Sequence, residues 1–150
     1  MTKSLSVLIA FFVLASGNAF AAGKAKKTES QFWSPDQVKW EKEKDAPVSM
    51  AVLWGDAHKG AHFGLTKFDK GAEFPKHTHS ASNYAVVVSG TLIITLEDGK
   101  EMMLTPGSAG IVAGKAVHTT KCAPEADCVI AGYVTGKEDM IMADKTAAKK

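Results

Sequence analysis

Gly71-Ala-Glu-Phe-Pro-Lys-His77-Thr-His79-Ser-Ala-Ser-Asn83-Tyr-Ala-Val-Val-Val-Ser-Gly90 is the stretch that decides the fold of this 150-residue chain. Two of its histidines, one residue apart, lie between a Gly-to-Pro turn and a run of β-branched residues. In an extended segment, residues i and i+2 point to the same face, so the side chains of His77 and His79 project together. Imidazole is largely unprotonated near neutral pH and is the commonest side-chain metal ligand. The pair therefore predicts a shared metal ion.

Short apolar runs continue from Val48 onward, interrupted by Gly, Pro or Asp about every eight to twelve residues and without helical periodicity. This pattern predicts an all-β fold with eight or nine short strands, which suits a barrel or a double-sheet jelly roll. Segments 97–100 and 105–108 have the composition of tight turns. The predicted strands are 50–54, 62–68, 83–89, 91–96, 101–104, 109–112, 118–121 and 128–134, with 140–142 as a last edge.

The N-terminal residues have the pattern of a Sec-type signal peptide. Lys3 precedes a short apolar run, and Ala19-Phe20-Ala21 has the small-x-small spacing of a cleavage site. The run is shorter than the roughly 20 apolar residues that span a bilayer, so no stable membrane anchor is expected. We therefore expect cleavage after Ala21 and a periplasmic or secreted protein.

The composition of the rest of the chain predicts one folded domain with a flexible segment before it and a tail after it. Residues 22–47 read as a flexible N-terminal segment with a short apolar patch around Trp33 and Trp40, residues 48–142 as the folded domain, and residues 143–150 as a disordered tail. The charges are nearly balanced, with 18 basic against 16 acidic residues, which argues against nucleic acid as a partner. Every basic residue is lysine, so no arginine is available to clamp a phosphate or carboxylate in bidentate fashion.

The spacing of the glycines and histidines resembles the first motif of the cupin family. Gly71 is followed after five intervening residues by His77, then by His79 and Asn83, and after six more intervening residues by Gly90, and a later strand supplies His118. The resemblance covers roughly residues 48 to 135. It implies a single-domain cupin, a double-stranded β-helix or jelly-roll barrel, in which His77, His79 and His118 bind one divalent metal ion.

A narrower resemblance is to the DUF4437 cupins, a group named for having no assigned function. This resemblance therefore supports the predicted fold and metal site more than any particular reaction. The segments that carry it are Leu53-Trp-Gly-Asp56, Lys59-Gly60, Val86-Val-Val-Ser-Gly-Thr91, Pro106-Gly-Ser108 and Ala113-Gly-Lys-Ala-Val-His118-Thr-Thr-Lys-Cys122.

Asn83 stands where the first motif of many cupins has a glutamate ligand. It is a candidate fourth-ligand position, although an amide oxygen is a neutral, weak ligand. Three neutral histidines leave the full charge on the ion and leave coordination positions open, which suits hydrolytic zinc and non-haem iron chemistry alike. The three ligands alone do not identify the metal, which could be zinc, iron, manganese, nickel or copper.

Other polar residues have simpler interpretations. His58 and His62 are expected to be surface histidines and not a second metal site, and Glu73 to be an exposed turn carboxylate and not a catalytic base. Cys122 and Cys128 flank a turn-like stretch, and in an exported protein they favour a disulfide. The alternative for the cysteines is a pair of redox-active or metal-binding thiols near His118.

Three functions remain open on the sequence. The first is a metal-dependent enzyme of the cupin type that acts on a small molecule, oxygenase-like or hydrolytic. The second is a non-catalytic cupin that binds a metal or small ligand as a carrier or sensor, and the third is a structural scaffold. Because cupins are commonly dimers, the resemblance also implies a homodimer.

Overall fold

The structure, a computed structural model, describes residues 29–143. The predicted signal peptide, residues 22–28 and nearly all of the predicted C-terminal tail lie outside the described residues. The chain divides into the units Met1–Phe32 and Trp33–Lys150, and the described residues of the first unit, 29–32, form neither helix nor strand. Among residues 29–143, no helix is long and apolar enough to cross a lipid bilayer.

Over residues 33–143 the second unit consists mainly of β-strands and their connections, as predicted, with one short 3₁₀ helix at Pro35–Gln37. Its strands are β1 (Glu41–Lys42), β2 (Val48–Gly55), β3 (His62–Phe68), β4 (Glu73–Thr78), β5 (Asn83–Ser89), β6 (Leu92–Leu96), β7 (Glu101–Leu104), β8 (Ala109–Val112), β9 (His118–Cys122), β10 (Cys128–Val134) and β11 (Ile141–Met142).

These strands form two antiparallel sheets. The six-stranded sheet has the order β1-β2-β3-β10-β5-β8, and the five-stranded sheet has the order β11-β4-β9-β6-β7. Both sheets contribute to one hydrophobic core, in which Phe74 of β4 packs edge-on against Phe68 of β3 with ring centres 5.6 Å apart. The double-sheet jelly roll predicted from the strand pattern is therefore confirmed.

Most strand positions were also predicted correctly, because alternating burial is a local property of the sequence. Strands β3, β5, β7, β8 and β10 have the predicted bounds. The 97–100 turn is closed by a hydrogen bond from the backbone N–H of Leu96 to the carbonyl of Lys100, with Gly99 at a φ of +84°. That conformation favours glycine.

Two strands were not predicted. Strand β4, which carries His77, contains Pro75 and Lys76, two residue types that are depleted in strands. The pairing of β4 with β9 has a register irregularity between Phe74 and His77, and such bulges are where a strand accommodates proline. The second is β1, which pairs with β2 inside the segment expected to be flexible.

Trp40, in the apolar patch of the N-terminal segment, contacts a side chain of the sheet. The Lys67 ammonium of β3 lies 5.0 Å from the ring centre of Trp40, within cation–π range.

Candidate metal centre

His77 and His118 face each other across two neighbouring strands. They are register partners in the antiparallel pair β4 and β9. Directly opposed residues have their Cβ atoms about 5 Å apart, so side chains on the same face of the sheet meet. The two imidazole ring centres are 4.2 Å apart, and both residues are buried, His77 with 3% and His118 with 2% of its surface exposed.

His79 completes the cluster from just beyond the end of β4. Its ring centre lies 5.0 Å from that of His77 and 5.3 Å from that of His118. One ring nitrogen of each histidine lies within 4.8 Å of those of the other two, close enough to share an ion. Within residues 29–143 this is the one cluster of three or more His, Cys, Asp or Glu residues with such spacing. The structure thus brings together the three histidines singled out from the sequence.

Two backbone loops meet beside His79 and fix the start of β9. The backbone N–H of Lys115 donates to the His79 carbonyl over 2.7 Å, and the N–H of Gly114 donates to the hydroxyl of Ser82 over 3.0 Å. A Cβ atom on Gly114 would lie 2.9 Å from the carbonyl oxygen of Ser80, so the close approach requires glycine. This contact brings His118, at the start of β9, toward the other two histidines.

All three histidines have their Nδ1 atom against a backbone carbonyl oxygen. The partners are Pro75 for His77 at 2.7 Å, Ala116 for His118 at 3.0 Å, and Asp139 for His79. A carbonyl only accepts hydrogen bonds, so each Nδ1 carries the proton and donates it. The Nε2 atoms then have free lone pairs, which is the tautomer of a histidine that binds a metal through Nε2. The donor set therefore fits a divalent metal ion.

Burial keeps two of these imidazoles neutral near pH 7. It lowers the pKa of His77 from 6.5 to about 4, although the hydrogen bond to the Pro75 carbonyl opposes that shift. Burial also lowers the pKa of His118. A metal ion binds the neutral form of imidazole, so no proton has to be displaced from either ring at neutral pH.

Asn83, the candidate fourth-ligand position, starts β5 with its side chain toward the interior. Its neighbours Tyr84 and Val86 are exposed on the opposite face, with 43% and 45% of their surface accessible. The Oδ1 atom of Asn83 is buried and has no hydrogen-bond partner within residues 29–143. A buried polar atom without a partner is unfavourable, so this oxygen is available to a ligand, a water or an ion.

Sequence reasoning missed a Glu–His pair beside His79, in which His62 is buried and Glu138 is partly exposed. The Glu138 carboxylate lies 3.4 Å from Nε2 of His62 through Oε2 and 3.8 Å from Nδ1 of His79 through Oε1. Burial raises the pKa of the Glu138 carboxyl, and the neighbouring histidines oppose that shift. No local pattern connects residue 138 with residues 62 and 79, since only the tertiary fold brings them together.

The expectation that His62 is a surface histidine is wrong. His62 is 2% exposed, because it opens β3 on the strand's inward face, and its Nδ1 donates to the carbonyl of Gly60 over 3.1 Å. The signal that could have located it was its position at the start of an alternating strand. His58 is exposed, as expected, and Glu73 is exposed on β4 and forms an ion pair with Lys121 at 3.2 Å.

Cys122 and Cys128 are joined by a disulfide in the structure, with Cα atoms 5.8 Å apart. Both residues are buried in the core cluster, where the bridge connects the end of β9 with the start of β10. These two strands belong to different sheets, so the bridge links the two layers of the fold.

Comparison with a family model identifies the region that holds the histidines. Residues 64–134 match the family described as Cupin domain. The matched region contains the three histidines and Asn83, whereas Glu138 and the Asp139 carbonyl lie beyond its end. No curated protein matches the sequence.

Solved structures share the fold. An RmlC-like cupin from Shewanella frigidimarina is 25% identical, with 74% of this chain and 96% of that chain covered and a TM-score of 0.59. The polyketide cyclase RemF from Streptomyces resistomycificus is 15% identical, with 79% and 88% covered and a TM-score of 0.65. A chain from crystal structures of DMSP lyases is 18% identical, with 72% of this chain covered and a TM-score of 0.59, and this chain spans 63% of its length.

Proposed function

We propose that this protein, which has the cupin fold and a Cupin domain at residues 64–134, binds one divalent transition-metal ion through His77, His79 and His118 and acts on a small molecule there. The observation that carries the proposal is the hydrogen bonding of all three Nδ1 atoms to backbone carbonyls, which leaves three Nε2 lone pairs free in one cluster. Metal-ligating histidines almost always donate their other ring N–H to a carboxylate, a backbone carbonyl or a water.

A bound ion would supply Lewis acidity and, if it were zinc, would lower the pKa of a bound water to about 7. The chain's own residues set the conditions for this chemistry. Three neutral ligands leave the charge of the ion uncompensated. The depressed pKa of His77 keeps it in the ligand form at neutral pH, and His77 and His118 are both almost fully shielded from bulk water.

Asn83 is the proposed fourth-ligand position or, if it stays unligated, a polar contact for the small molecule. Its buried Oδ1 lacks a partner among residues 29–143, which supports either role. The difference between them is measurable, because a carboxylate at this position would ligate more strongly than an amide.

For the reaction we propose metal-dependent, small-molecule chemistry that is oxygenase-like or hydrolytic. Two of the structural neighbours are enzymes, a polyketide cyclase and a DMSP lyase, which supports an enzyme without naming its reaction. The alternative is a non-catalytic cupin that carries or senses a metal or a small ligand. The sequence has no arginine, the usual bidentate partner of a carboxylate or phosphate, which argues against turnover of an anionic substrate and to that extent supports the alternative.

We also propose export to the periplasm or beyond, from the signal-peptide pattern of residues 1–21. The disulfide between Cys122 and Cys128 supports this, because such bridges persist in oxidising compartments. The narrower resemblance to the DUF4437 cupins is part of the same proposal. The mass of the protein recovered from a periplasmic fraction tests both export and cleavage after Ala21.

Metal analysis of protein purified without an affinity tag tests the central proposal. We expect about one equivalent of a transition metal per chain in the wild type, and less than about a tenth of that after His77→Ala or His118→Ala. His58→Ala is the matched control, because His58 is an exposed histidine outside the cluster. Wild-type protein that neither contains nor takes up any transition metal would refute the proposal.

If metal is present, oxygen consumption with thiol or diol substrates distinguishes an oxygenase from a hydrolase or a binder. Binding of a small molecule without turnover would favour the carrier or sensor.

A further inference from the structure

The three histidines of the metal centre are held in two different ways. His77 and His118 each donate from Nδ1 to the carbonyl of the residue two positions earlier in the chain. The orientation of these two rings is therefore fixed by the residues that directly precede them in the chain. His79 instead donates to the carbonyl of Asp139, which is 60 residues away in sequence. The orientation of this ring depends on a separate part of the chain.

That part is residues 136–142, which we call the C-terminal strap. The Asp139 side chain accepts a hydrogen bond from the backbone N–H of Ser80 over 2.8 Å, directly beside His79. Three residues after the strap's Glu138, Ile141 pairs with Thr78 in the β11–β4 ladder. The strap thus pairs with the end of β4 and contacts the chain on both sides of His79, at Thr78 and at Ser80.

Glu138 fixes the strap against the opposite sheet. Its backbone N–H donates to the carbonyl of Ala57 over 2.7 Å, and its carboxylate lies 3.4 Å from Nε2 of the buried His62. The other carboxylate oxygen lies 3.8 Å from Nδ1 of His79. Glu138 therefore bridges β3 and the ring of His79, at the ring edge opposite to Nε2.

From these contacts we infer that Glu138 is a positioning residue of the metal centre, and that the C-terminal strap orients His79 for metal binding. The inference rests on the proposed metal site, but it concerns residues beyond the matched Cupin domain at 64–134. The rings of His77 and His118 are oriented by residues two positions earlier, so their orientation does not depend on the strap. His79 is prepared only when the strap is in place.

The coupling is reciprocal by thermodynamic linkage. If the strap favours the metal-binding orientation of His79, a bound ion stabilises the strap to the same extent. Lys137 is an exposed residue of the strap, and trypsin cleaves after lysine in segments that open locally. A bound ion therefore slows cleavage after Lys137.

The first experiment measures the Kd for Zn²⁺ by competition with a chromophoric chelator. We expect Glu138→Ala to weaken binding roughly 10- to 100-fold, the usual effect of removing a group that orients a ligand. Glu138→Gln, which keeps the shape and can still hydrogen-bond, should weaken binding less. Glu73→Ala is the matched control, since it removes an exposed carboxylate from β4, the histidine strand itself, and leaves the strap intact.

A double-mutant cycle separates positioning from general destabilisation. In the His79→Ala background, Glu138→Ala should change the Kd less than about twofold, because no ring remains to be oriented. An equal loss of affinity in both backgrounds would overturn the inference.

The second experiment is limited trypsin digestion of the full chain with and without Zn²⁺, followed by mass spectrometry of the fragment that ends at Lys137. We expect Zn²⁺ to slow this cleavage in the wild type and to have no effect in His79→Ala. Wild-type Zn²⁺ binding combined with unchanged affinity in Glu138→Ala and unprotected Lys137 would overturn the inference and leave the metal site standing. Failure of the wild type to bind any transition metal would overturn both.

Discussion

Gly90 lies directly against Cys128: a Cβ atom on Gly90 would be 2.8 Å from the Cα atom of Cys128 and 2.6 Å from the carbonyl oxygen of Asp127. Gly90 also has a φ of +74°, in the left-handed region that L side chains rarely adopt. Since both opposing atoms belong to the backbone, they cannot move aside as a side chain would. We expect Gly90→Ala to lower the free energy of unfolding by about 3 kcal/mol, measured by urea denaturation.

Gly71→Ala is the control for this substitution. Gly71 has nearly the same φ, +75°, but no atom lies within 4 Å of the position that its Cβ would take. Only the backbone strain of about 1 kcal/mol applies there. Equal losses at the two positions would show that the contact with Cys128 is unimportant.

Removal of the bridge by the double substitution of Cys122 and Cys128 with alanine should destabilise the domain by about 2 kcal/mol, from the larger entropy of the unfolded chain alone. The loss of packing at these core positions adds to this value. Urea denaturation of the wild type with and without reductant provides the comparison. Free thiols in protein isolated from the periplasm would contradict the predicted bridge.

The stability of the metal-free protein should fall as the pH decreases from 6.5 towards 4. Burial lowers the pKa of His77 from 6.5 to about 4, so within that window the unfolded chain binds a proton that the folded chain does not. The contribution is therefore complete above pH 6.5 and is lost as the pH falls to about 4, with His118 acting in the same direction. Its size is at most about 3 kcal/mol.

Urea denaturation in the presence of EDTA across this pH range measures the effect. Carboxylates also titrate near the lower limit, so the comparison with His77→Asn, which cannot titrate, isolates the histidine. An identical pH dependence in the two proteins would contradict the prediction.

Asn83→Glu should tighten the binding of divalent metal. The substitution puts a charged oxygen ligand on a side chain one methylene longer than that of Asn83, whose buried Oδ1 atom has no hydrogen-bond partner among residues 29–143. We expect a Kd for Zn²⁺ about tenfold lower than that of the wild type, measured by chelator competition. Asn83→Gln, which has the same length as glutamate but no charge, is the control. Equal affinity of the glutamate and glutamine variants would mean that position 83 does not reach the ion.

The outer face of the six-stranded sheet offers a surface for the homodimer that the cupin resemblance implies. A row of exposed apolar residues crosses five of its strands in register, and its members are Trp54, Phe63, Tyr133, Tyr84 and Ile111. Exposed apolar patches of this kind mark interaction surfaces. If two copies associate through this row, Tyr133→Lys at its centre should yield monomers in light scattering, whereas Met103→Lys, an exposed position on β7, should leave the dimer intact.

The sequence by itself determined the elements whose signals are local. Alternating burial predicted the bounds of β3, β5 and β10, and the Asp98-Gly99 pair predicted the turn that joins β6 to β7. These predictions succeed because strand alternation and turn conformation depend on residues within a few positions of each other. The same locality explains why His77 and His79 could be expected to share an ion.

Only the tertiary structure decided which distant residues meet. The pairing of β4 with β9 makes His77 and His118 opposite partners and imposes a strand on a segment with Pro75, which its own composition does not favour. The contacts of Glu138 with His62 and His79 likewise depend on how the strap crosses between the sheets. Such contacts follow from the packing of whole sheets around one core, a property that no window of neighbouring residues contains.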